Sequence, residues 1–358
     1  MKRLYVLSFS LSLLQGLLIP VLVLYMLKLG FGTIEIGIVS GSSSLLYIVG
    51  ALTSSFIVCR LGDSRTVALS LGLLAAGYLL LTFSQSLLAI FSATGLVLLG
   101  FGIFWPSIEN IVSNTGGRVS LFSFSWSSGS LLVMALVYPA SLVDPKLVFV
   151  LFMALSVLLV TLANFRHDRS IQLASFTGVL GALRNASLAW LLCTVYSISS
   201  SGILTFYPVL VDERRLPQIL LSATLFSMIF SRTSLFYLFD KIPRQIRRLD
   251  LASIFIIAPA LILYTDSTLI HIAAVLFSGI GQGIVYGIAL ERVFKRHSTE
   301  VHLYTSLFES FIGLGYFLGP VIGAGFKELL GLQPIVATAL LSSMVILVSL
   351  LIFSRTSS

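Results

Sequence analysis

Two ionisable side chains stand inside long apolar stretches of the sequence, Arg232 within 216–239 and Glu309 within 302–326. A charge in the middle of a membrane-spanning helix costs about 2.5–3.5 kcal/mol, so such residues often mark a functional site. Each lies about seven residues from one end of its stretch, and the helical rise then places both at a depth of about 10 Å. We expect an ion pair or a joint site for a polar solute, in which Glu309 could carry a coupling proton. The alternatives are that Arg232 extends to the membrane interface and that Glu309 pairs with a base in a loop.

Uncharged polar and aromatic side chains in other apolar stretches could complete this site. They can hydrogen-bond or stack a ligand, although packing between helices is the alternative for each of them. The candidates are Gln15, Trp105, Tyr196, Gln282 and Tyr286.

The composition excludes a water-soluble protein. Charged residues make up 10% of the 358 residues and hydrophobic residues 57%, whereas a soluble domain carries about 25% charged residues. The same values exclude intrinsic disorder and a collagen-like chain. Two cysteines, Cys59 and Cys193, are too few for a disulfide-stapled scaffold.

The length fits twelve membrane-spanning helices, because twelve spans of about 20 residues use about 240 and leave only short connections. This predicts an all-α, multi-pass membrane protein. The first span is too long for the apolar region of a signal peptide. The expected spans are 4–27, 34–58, 66–84, 87–112, 119–143, 147–165, 187–211, 216–239, 249–265, 268–290, 302–326 and 332–354.

The basic residues predict the orientation of these spans. Of the 22 Lys and Arg residues, sixteen fall in connections on one side and five on the other, and Arg232 is the remaining one. Cytoplasmic loops carry the excess of Lys and Arg, so we expect both termini in the cytoplasm and the protein in the cell membrane. The net charge of +8 therefore does not call for a nucleic acid partner.

An internal repeat divides the chain into two halves. Three pairs of residues recur at one offset of 181: Cys59 and Asp240, Gly100 and Gly281, and Pro139 and Pro320. A parallel duplication of six spans explains a common offset. The expected parts are an N-terminal six-helix bundle (1–165), a cytoplasmic central loop (166–186) and a C-terminal six-helix bundle (187–358).

Glycines four residues apart in several spans predict close helix packing, because they lie on one face of a helix. They are Gly37 and Gly41, then Gly279, Gly283 and Gly287, and then Gly315, Gly319 and Gly323.

The twelve spans with their six-plus-six repeat resemble the major facilitator superfamily. The signature of that family after the second span, roughly G-x-x-x-D-R-x-G-R-R, is matched by Arg60, Gly62 and Arg65, while Ser55 and Cys59 replace the glycine and the aspartate. The second copy of the loop keeps its acid as Asp240. The resemblance covers essentially the whole chain and implies the fold of that family.

The resemblance also implies cytoplasmic Arg–Glu contacts that hold the two halves together in one state and break in the other. The alternative is that these charges only set the orientation of the spans. The gating candidates are Arg60, Arg65, Glu109, Asp240, Lys241, Arg244 and Glu291.

The function that this resemblance implies is secondary transport by alternating access. The scarcity of charge favours a small, weakly polar or amphiphilic solute, with export favoured over uptake and protons as a possible coupling ion. No phosphate-binding loop of the Walker type occurs in the sequence. We expect a monomer without a cofactor, a metal or enzymatic activity. A transporter-like sensor without flux and a membrane enzyme with a lipid substrate are the alternatives.

Overall fold

The structure is a computed structural model that describes residues 2–115, 119–163, 176–243, 245–296 and 301–354. Its regular secondary structure over these ranges is helical throughout. The α-helices are α1 Lys2–Lys28, α2 Thr33–Ser42, α3 Ser44–Leu61, α4 Asp63–Phe83, α5 Leu87–Asn114, α6 Val119–Ala135, α7 Val137–Ser141, α8 Pro145–Val160, α9 Phe176–Asn185, α10 Ser187–Glu213, α11 Ile219–Leu238, α12 Leu249–Ile256, α13 Thr268–Arg296, α14 Val301–Leu330 and α15 Pro334–Ser354. Short 3₁₀ segments run over Phe239–Lys241 and Ala258–Tyr264.

The described helices confirm the all-helical membrane fold, although they are more numerous than the twelve expected spans. Within the described ranges, nine segments are long and apolar enough to cross a membrane, and three shorter apolar helices accompany them. The structure differs from the expectation in three spans. The stretches 34–58, 119–143 and 249–265 are each divided into two consecutive helical pieces rather than forming one helix.

Proline explains the break between α6 and α7. Pro139 lacks the N–H group that would bond to the carbonyl of Ala135, four residues earlier. The Ser222 hydroxyl on α11 donates to that carbonyl at 3.1 Å and accepts the N–H of Tyr138 at 2.7 Å. Backbone groups cannot remain unsatisfied in hydrocarbon, so the broken helix is tied to α11 at this point.

The four-residue glycine spacings lie at close helix crossings, as predicted. A Cβ atom at Gly37 would come within 2.8 Å of the Pro320 carbonyl oxygen on α14. At Gly279 it would meet the Met228 carbonyl oxygen on α11 at 2.3 Å, and at Gly315 the Thr194 carbonyl oxygen on α10 at 2.3 Å. Such approaches replace the hydrophobic driving force that helices lack in lipid.

Two pairs of helices have boundaries that differ by about the predicted offset of 181 residues. Shifting α5 by 181 places it at 268–295, and the observed α13 is Thr268–Arg296. The same shift places the start of α6 at 300, next to the observed start of α14 at Val301. The second copy therefore begins these two helices at equivalent points.

The helices before the central loop and those after it meet along three principal lines of packing. Helix α14 packs on α2, α3 and α5, α11 packs on α6, and α1 packs on α10. Large apolar side chains on the outside, such as Leu88 and Leu351, remain exposed and suit contact with lipid. These contacts leave a central space between the two groups of helices.

Part of the central loop lies outside the description, which omits residues 164–175. Its last portion forms the short helix α9. The expected division at 166–186 is consequently seen only from Phe176 onward.

Candidate functional site

A central cavity of ≈ 100 Å³ lies between helices from both parts of the chain. Helices α1, α3, α5 and α6 line it from the part before the central loop, and α10, α11, α13 and α14 from the part after it. Among its lining residues are Gln15, Tyr47, Trp105, Glu109, Trp126, Tyr196, Arg232, Tyr286, Glu309 and Tyr316. A space of this volume holds several water molecules or a small solute.

A cluster of two carboxyl groups and a phenol occupies one wall of the cavity. Glu109 on α5 is 6% exposed and Glu309 on α14 is 5% exposed. Their carboxyl groups lie close to each other, and the Tyr47 hydroxyl on α3 donates to Glu309 Oε2. Two neighbouring carboxyl groups can hydrogen-bond to each other only when one of them is protonated. We call Tyr47, Glu109 and Glu309 the carboxyl cluster.

Arg232 lies on α11 in the same cavity and is 4% exposed. Its Nη1 donates to Ser200 Oγ at 3.4 Å, and its side chain also hydrogen-bonds to the Tyr196 hydroxyl. The guanidinium carbon lies 5.4 Å from the centre of the Tyr196 ring and 5.8 Å from that of Trp126. Nε of Arg232 is buried without a hydrogen-bond partner among the described residues.

Arg232 and Glu309 share the cavity but do not form an ion pair. Within the described ranges, no nitrogen of Arg232 lies within 4.0 Å of a carboxylate oxygen. The sequence analysis left open an ion pair or a joint site. In the structure, Arg232 and Glu309 are two separate charged positions that face the same cavity.

Aromatic rings form much of the remaining cavity wall. Trp105 Nε1 donates to Gln15 Oε1 at 2.7 Å, which joins α5 to α1. The Tyr286 ring lies 5.0 Å from Tyr196 and 5.9 Å from Trp126, between centroids. These rings offer flat apolar surface with a few polar groups, the usual composition of a small-molecule site.

Two pairs of these residues occupy equivalent positions in the repeat. Gln15 and Tyr196 are 181 residues apart, and so are Trp105 and Tyr286. All four line the cavity. At each pair of equivalent positions the cavity therefore has two different side chains: Gln and Tyr in one pair, Trp and Tyr in the other.

Gln282 is the one sequence-predicted binding residue that does not line the cavity. Its amide donates to Ser199 Oγ at 3.1 Å and to Ser278 Oγ at 3.4 Å, so it joins α13 to α10. These contacts are of the kind expected for packing between helices, and a binding role for Gln282 stays a prediction.

The gating candidates that the structure describes have different contact partners. Glu109 was expected to face the basic loops, but it points into the cavity and lies next to Glu309. Glu291 pairs with Arg247 at 3.5 Å, a partner that the sequence did not suggest.

The basic gating candidates lie on the surface. Arg60 lies over the Phe56 ring at 4.1 Å and Lys241 over the Tyr237 ring at 5.5 Å, while Arg65 is exposed. The side chain of Asp240 and all of Arg244 lie outside the described residues.

Sequence reasoning missed three aromatic residues that shape the site. Tyr47 holds Glu309, Trp126 faces Arg232, and Tyr316 lines the cavity next to Ser200. No spacing separates these three from the 38 other aromatic positions implied by 12 Tyr, 26 Phe and 3 Trp residues. These three residues differ from the other aromatic residues in lying next to a buried polar group: Glu309, Arg232 or Ser200.

Comparisons with known proteins agree with this architecture. The profile of the Major Facilitator Superfamily matches residues 4–300. Curated protein sequences give no match.

Several solved structures share the fold at low sequence identity. A variant of the nucleoside transporter NupG has a TM-score of 0.75 and 18% identity, over 99% of this chain and 98% of that chain. The human organic anion transporter MFSD10 (TETRAN) has a TM-score of 0.69 and 16% identity, over 97% and 98%. The E. coli fucose:proton symporter FucP has a TM-score of 0.67 and 17% identity, over 99% and 98%. At these identities the likeness shows the fold alone.

Proposed function

This chain belongs to the major facilitator superfamily, and we propose that it is a secondary transporter that moves a small amphiphilic solute by alternating access. The observation that carries the proposal is the central cavity, which holds buried ionisable groups and is lined by helices from both parts of the chain. Buried charges inside a membrane protein are costly and typically mark a solute or ion pathway.

In this proposal the moving parts are the two predicted halves, 1–165 and 187–358, which rock around the cavity. Contacts between the halves occur at both ends of the bundle. Near the end that holds the termini, Ser54 Oγ and Ser306 Oγ are 3.2 Å apart. At the opposite end, Thr33 Oγ1 donates to Glu213 Oε1 at 3.1 Å. Opening the cavity toward either side requires the contacts at that end to separate.

The carboxyl cluster is the proposed site of proton coupling. In this proposal its two neighbouring carboxyl groups share one hydrogen bond, which requires a proton on one of them. Loss of that proton would place two negative charges in contact away from water, which is strongly unfavourable. Release of the proton is therefore expected to separate α5 from α14 at this point and to change the shape of the cavity.

Solute flux in proteoliposomes tests the proposed function. Purified protein is reconstituted, and uptake from a panel of radiolabelled amphiphilic solutes is measured with and without an imposed pH gradient of either sign. We expect saturable flux that responds to the gradient, and the sign of the response tests the expectation of export. A protein that binds solutes but moves none of them under any gradient would be a sensor instead.

A disulfide across the two halves is expected to stop transport. We propose the pair Ser54→Cys and Ser306→Cys in a Cys59→Ser background, because hydroxyl oxygens 3.2 Å apart suggest Cβ atoms close to disulfide geometry. Oxidation should abolish flux and a reductant should restore it, since the halves could no longer separate at this end. Flux is measured in the same vesicles before and after reduction.

The matched control is a disulfide within one half, Ser199→Cys with Ser278→Cys, whose hydroxyl oxygens are 3.5 Å apart. This pair joins α10 to α13, which move together in a rocking mechanism, so flux should persist after oxidation. Full flux through the crosslinked 54–306 variant would contradict alternating access between these halves.

A further inference from the structure

Arg232 is a buried positive charge without a negative partner, and proton coupling at the carboxyl cluster does not require it. The residue is only 4% exposed, yet no carboxylate lies within ion-pair distance of it among the described residues. Buried charges in proteins are generally paired, because an isolated charge in an apolar site is very costly. The partners that it does have, Ser200 and Tyr196, are neutral hydroxyl groups.

The two acids of the same cavity do not serve as direct partners for this charge. Glu309 accepts from Tyr47 and lies next to Glu109, so its carboxyl group is already engaged. In the proposed state, with one proton between them, the two acids carry one negative charge. That charge lies within the carboxyl cluster rather than against the guanidinium.

Arg232 also has unused hydrogen-bonding capacity at the cavity. A guanidinium has five N–H donors in a planar fork that fits a carboxylate with two parallel bonds. Nε is buried without a partner in the part of the chain that the structure describes, and the hydrogen bond from Nη1 to Ser200 is long at 3.4 Å.

The walls on either side of this donor are aromatic. The rings of Trp126 and Tyr196 face the guanidinium, and Tyr286 continues the same surface. A ligand that placed an anionic group on Arg232 would lay its apolar body against these rings, where stacking and burial favour it.

We propose that the solute of this cavity is a small organic anion whose carboxylate, or a group of similar shape and charge, binds Arg232 while its apolar part lies against Trp126, Tyr196 and Tyr286. This inference rests on the proposed function, since a ligand of the cavity is cargo only if the chain transports. It narrows the solute from an amphiphile in general to a monoanion with a ring or short apolar body.

Ligand binding to the full-length protein in detergent or nanodiscs tests the proposal without requiring transport. The probes are benzoate and phenylacetate, each compared with its neutral amide of nearly the same shape, benzamide and phenylacetamide. Binding is followed by quenching of tryptophan fluorescence and by the shift in melting temperature. We expect the carboxylates to bind at least about tenfold more tightly than the amides, as charge-assisted bonds to a guanidinium require.

Substitutions at Arg232 assign that preference to the residue. Arg232→Gln should remove the difference between carboxylate and amide, whereas Arg232→Lys should keep part of it, since lysine retains the charge without the planar fork. If Arg232→Gln does not fold, the wild-type comparison and Arg232→Lys still decide the question.

Three results would overturn the proposal: amides that bind as tightly as carboxylates, no binding of either carboxylate to the wild-type protein, or a carboxylate preference that survives in a folded Arg232→Gln variant.

Flux in proteoliposomes distinguishes failure of this proposal from failure of the proposed function. Carboxylate binding without any flux would support the anion site and contradict the proposed transport. Flux of neutral solutes that is insensitive to Arg232→Gln would support transport and contradict the anion site.

Discussion

Replacing Glu309 by glutamine is expected to abolish transport driven by a pH gradient while exchange of solute across the membrane continues. Glutamine has nearly the same shape, and its carbonyl oxygen can still accept from the Tyr47 hydroxyl that now bonds Glu309. It cannot take up or release a proton. The substitution therefore removes the coupling step and leaves the cavity wall in place.

The measurement compares two assays in the same proteoliposomes. Accumulation against a solute gradient, driven by an imposed pH gradient, should fall at least about tenfold, equivalent to about 1.4 kcal/mol of driving force. Counterflow, in which labelled solute exchanges for unlabelled solute, should retain its rate because no net proton movement is needed. Glu109→Gln should show the same separation of the two assays, since Glu109 shares the proposed proton.

The control is Glu328→Gln, which alters an exposed glutamate on the same helix, α14. It should leave both assays unchanged. If Glu309→Gln retained accumulation driven by the pH gradient, coupling through the carboxyl cluster would be excluded. Loss of both assays with normal folding would instead assign Glu309 to solute binding.

Gly102→Ala is expected to destabilise the protein and to disturb the carboxyl cluster from a distance. A Cβ atom at this position of α5 would lie 2.2 Å from the Tyr47 carbonyl oxygen and 3.0 Å from the Ala51 nitrogen, both backbone atoms of α3. The other helix of the crossing is also close, because a Cβ at Gly50 of α3 would meet the Leu99 carbonyl oxygen of α5 at 2.6 Å. Backbone atoms cannot rotate away, so the two helices must move apart.

Overpacking of this kind typically costs about 1–3 kcal/mol. We expect a lower melting temperature in detergent and reduced proton-driven transport, because Tyr47 is carried by the displaced segment of α3. The matched control is Gly72→Ala in the interior of α4, where a Cβ would meet nothing within 4 Å. Since alanine is a better helix former by about 0.5–1 kcal/mol, that variant should be as stable as the wild type or more stable. Equal melting temperatures for the two variants would refute the close crossing.

The helices could be predicted almost completely from the sequence, and the breaks within them only in part. Apolar length marks a span because hydrocarbon requires every backbone group to be bonded within the helix. The break before Pro139 depends on Ser222, 83 residues away in the chain, which satisfies the carbonyl freed by the proline. A local pattern cannot contain such a partner.

The site was predicted in part for a similar reason. Arg232 and Glu309 were found because charge is rare in apolar stretches, so its presence alone is informative. Glu109 was expected to contact the basic cytoplasmic loops because it stands near the cytoplasmic end of its span. Glu109 lies five residues before the end of α5. Its side chain faces the cavity because of how α5 is rotated about its axis, and the distance along the sequence does not reveal that rotation.

The sequence by itself determined that this protein is an all-helical membrane protein, because the transfer of each residue between water and lipid depends on its own chemistry and its near neighbours. The tertiary structure alone decided that Glu309 lies next to Glu109 and bonds with Tyr47, and that Arg232 stands apart from them. These contacts join residues as much as 262 positions apart, and they depend on how glycine-faced helices cross and rotate against each other. The sequence shows that a buried charge is present, but helix packing decides which residue becomes its partner.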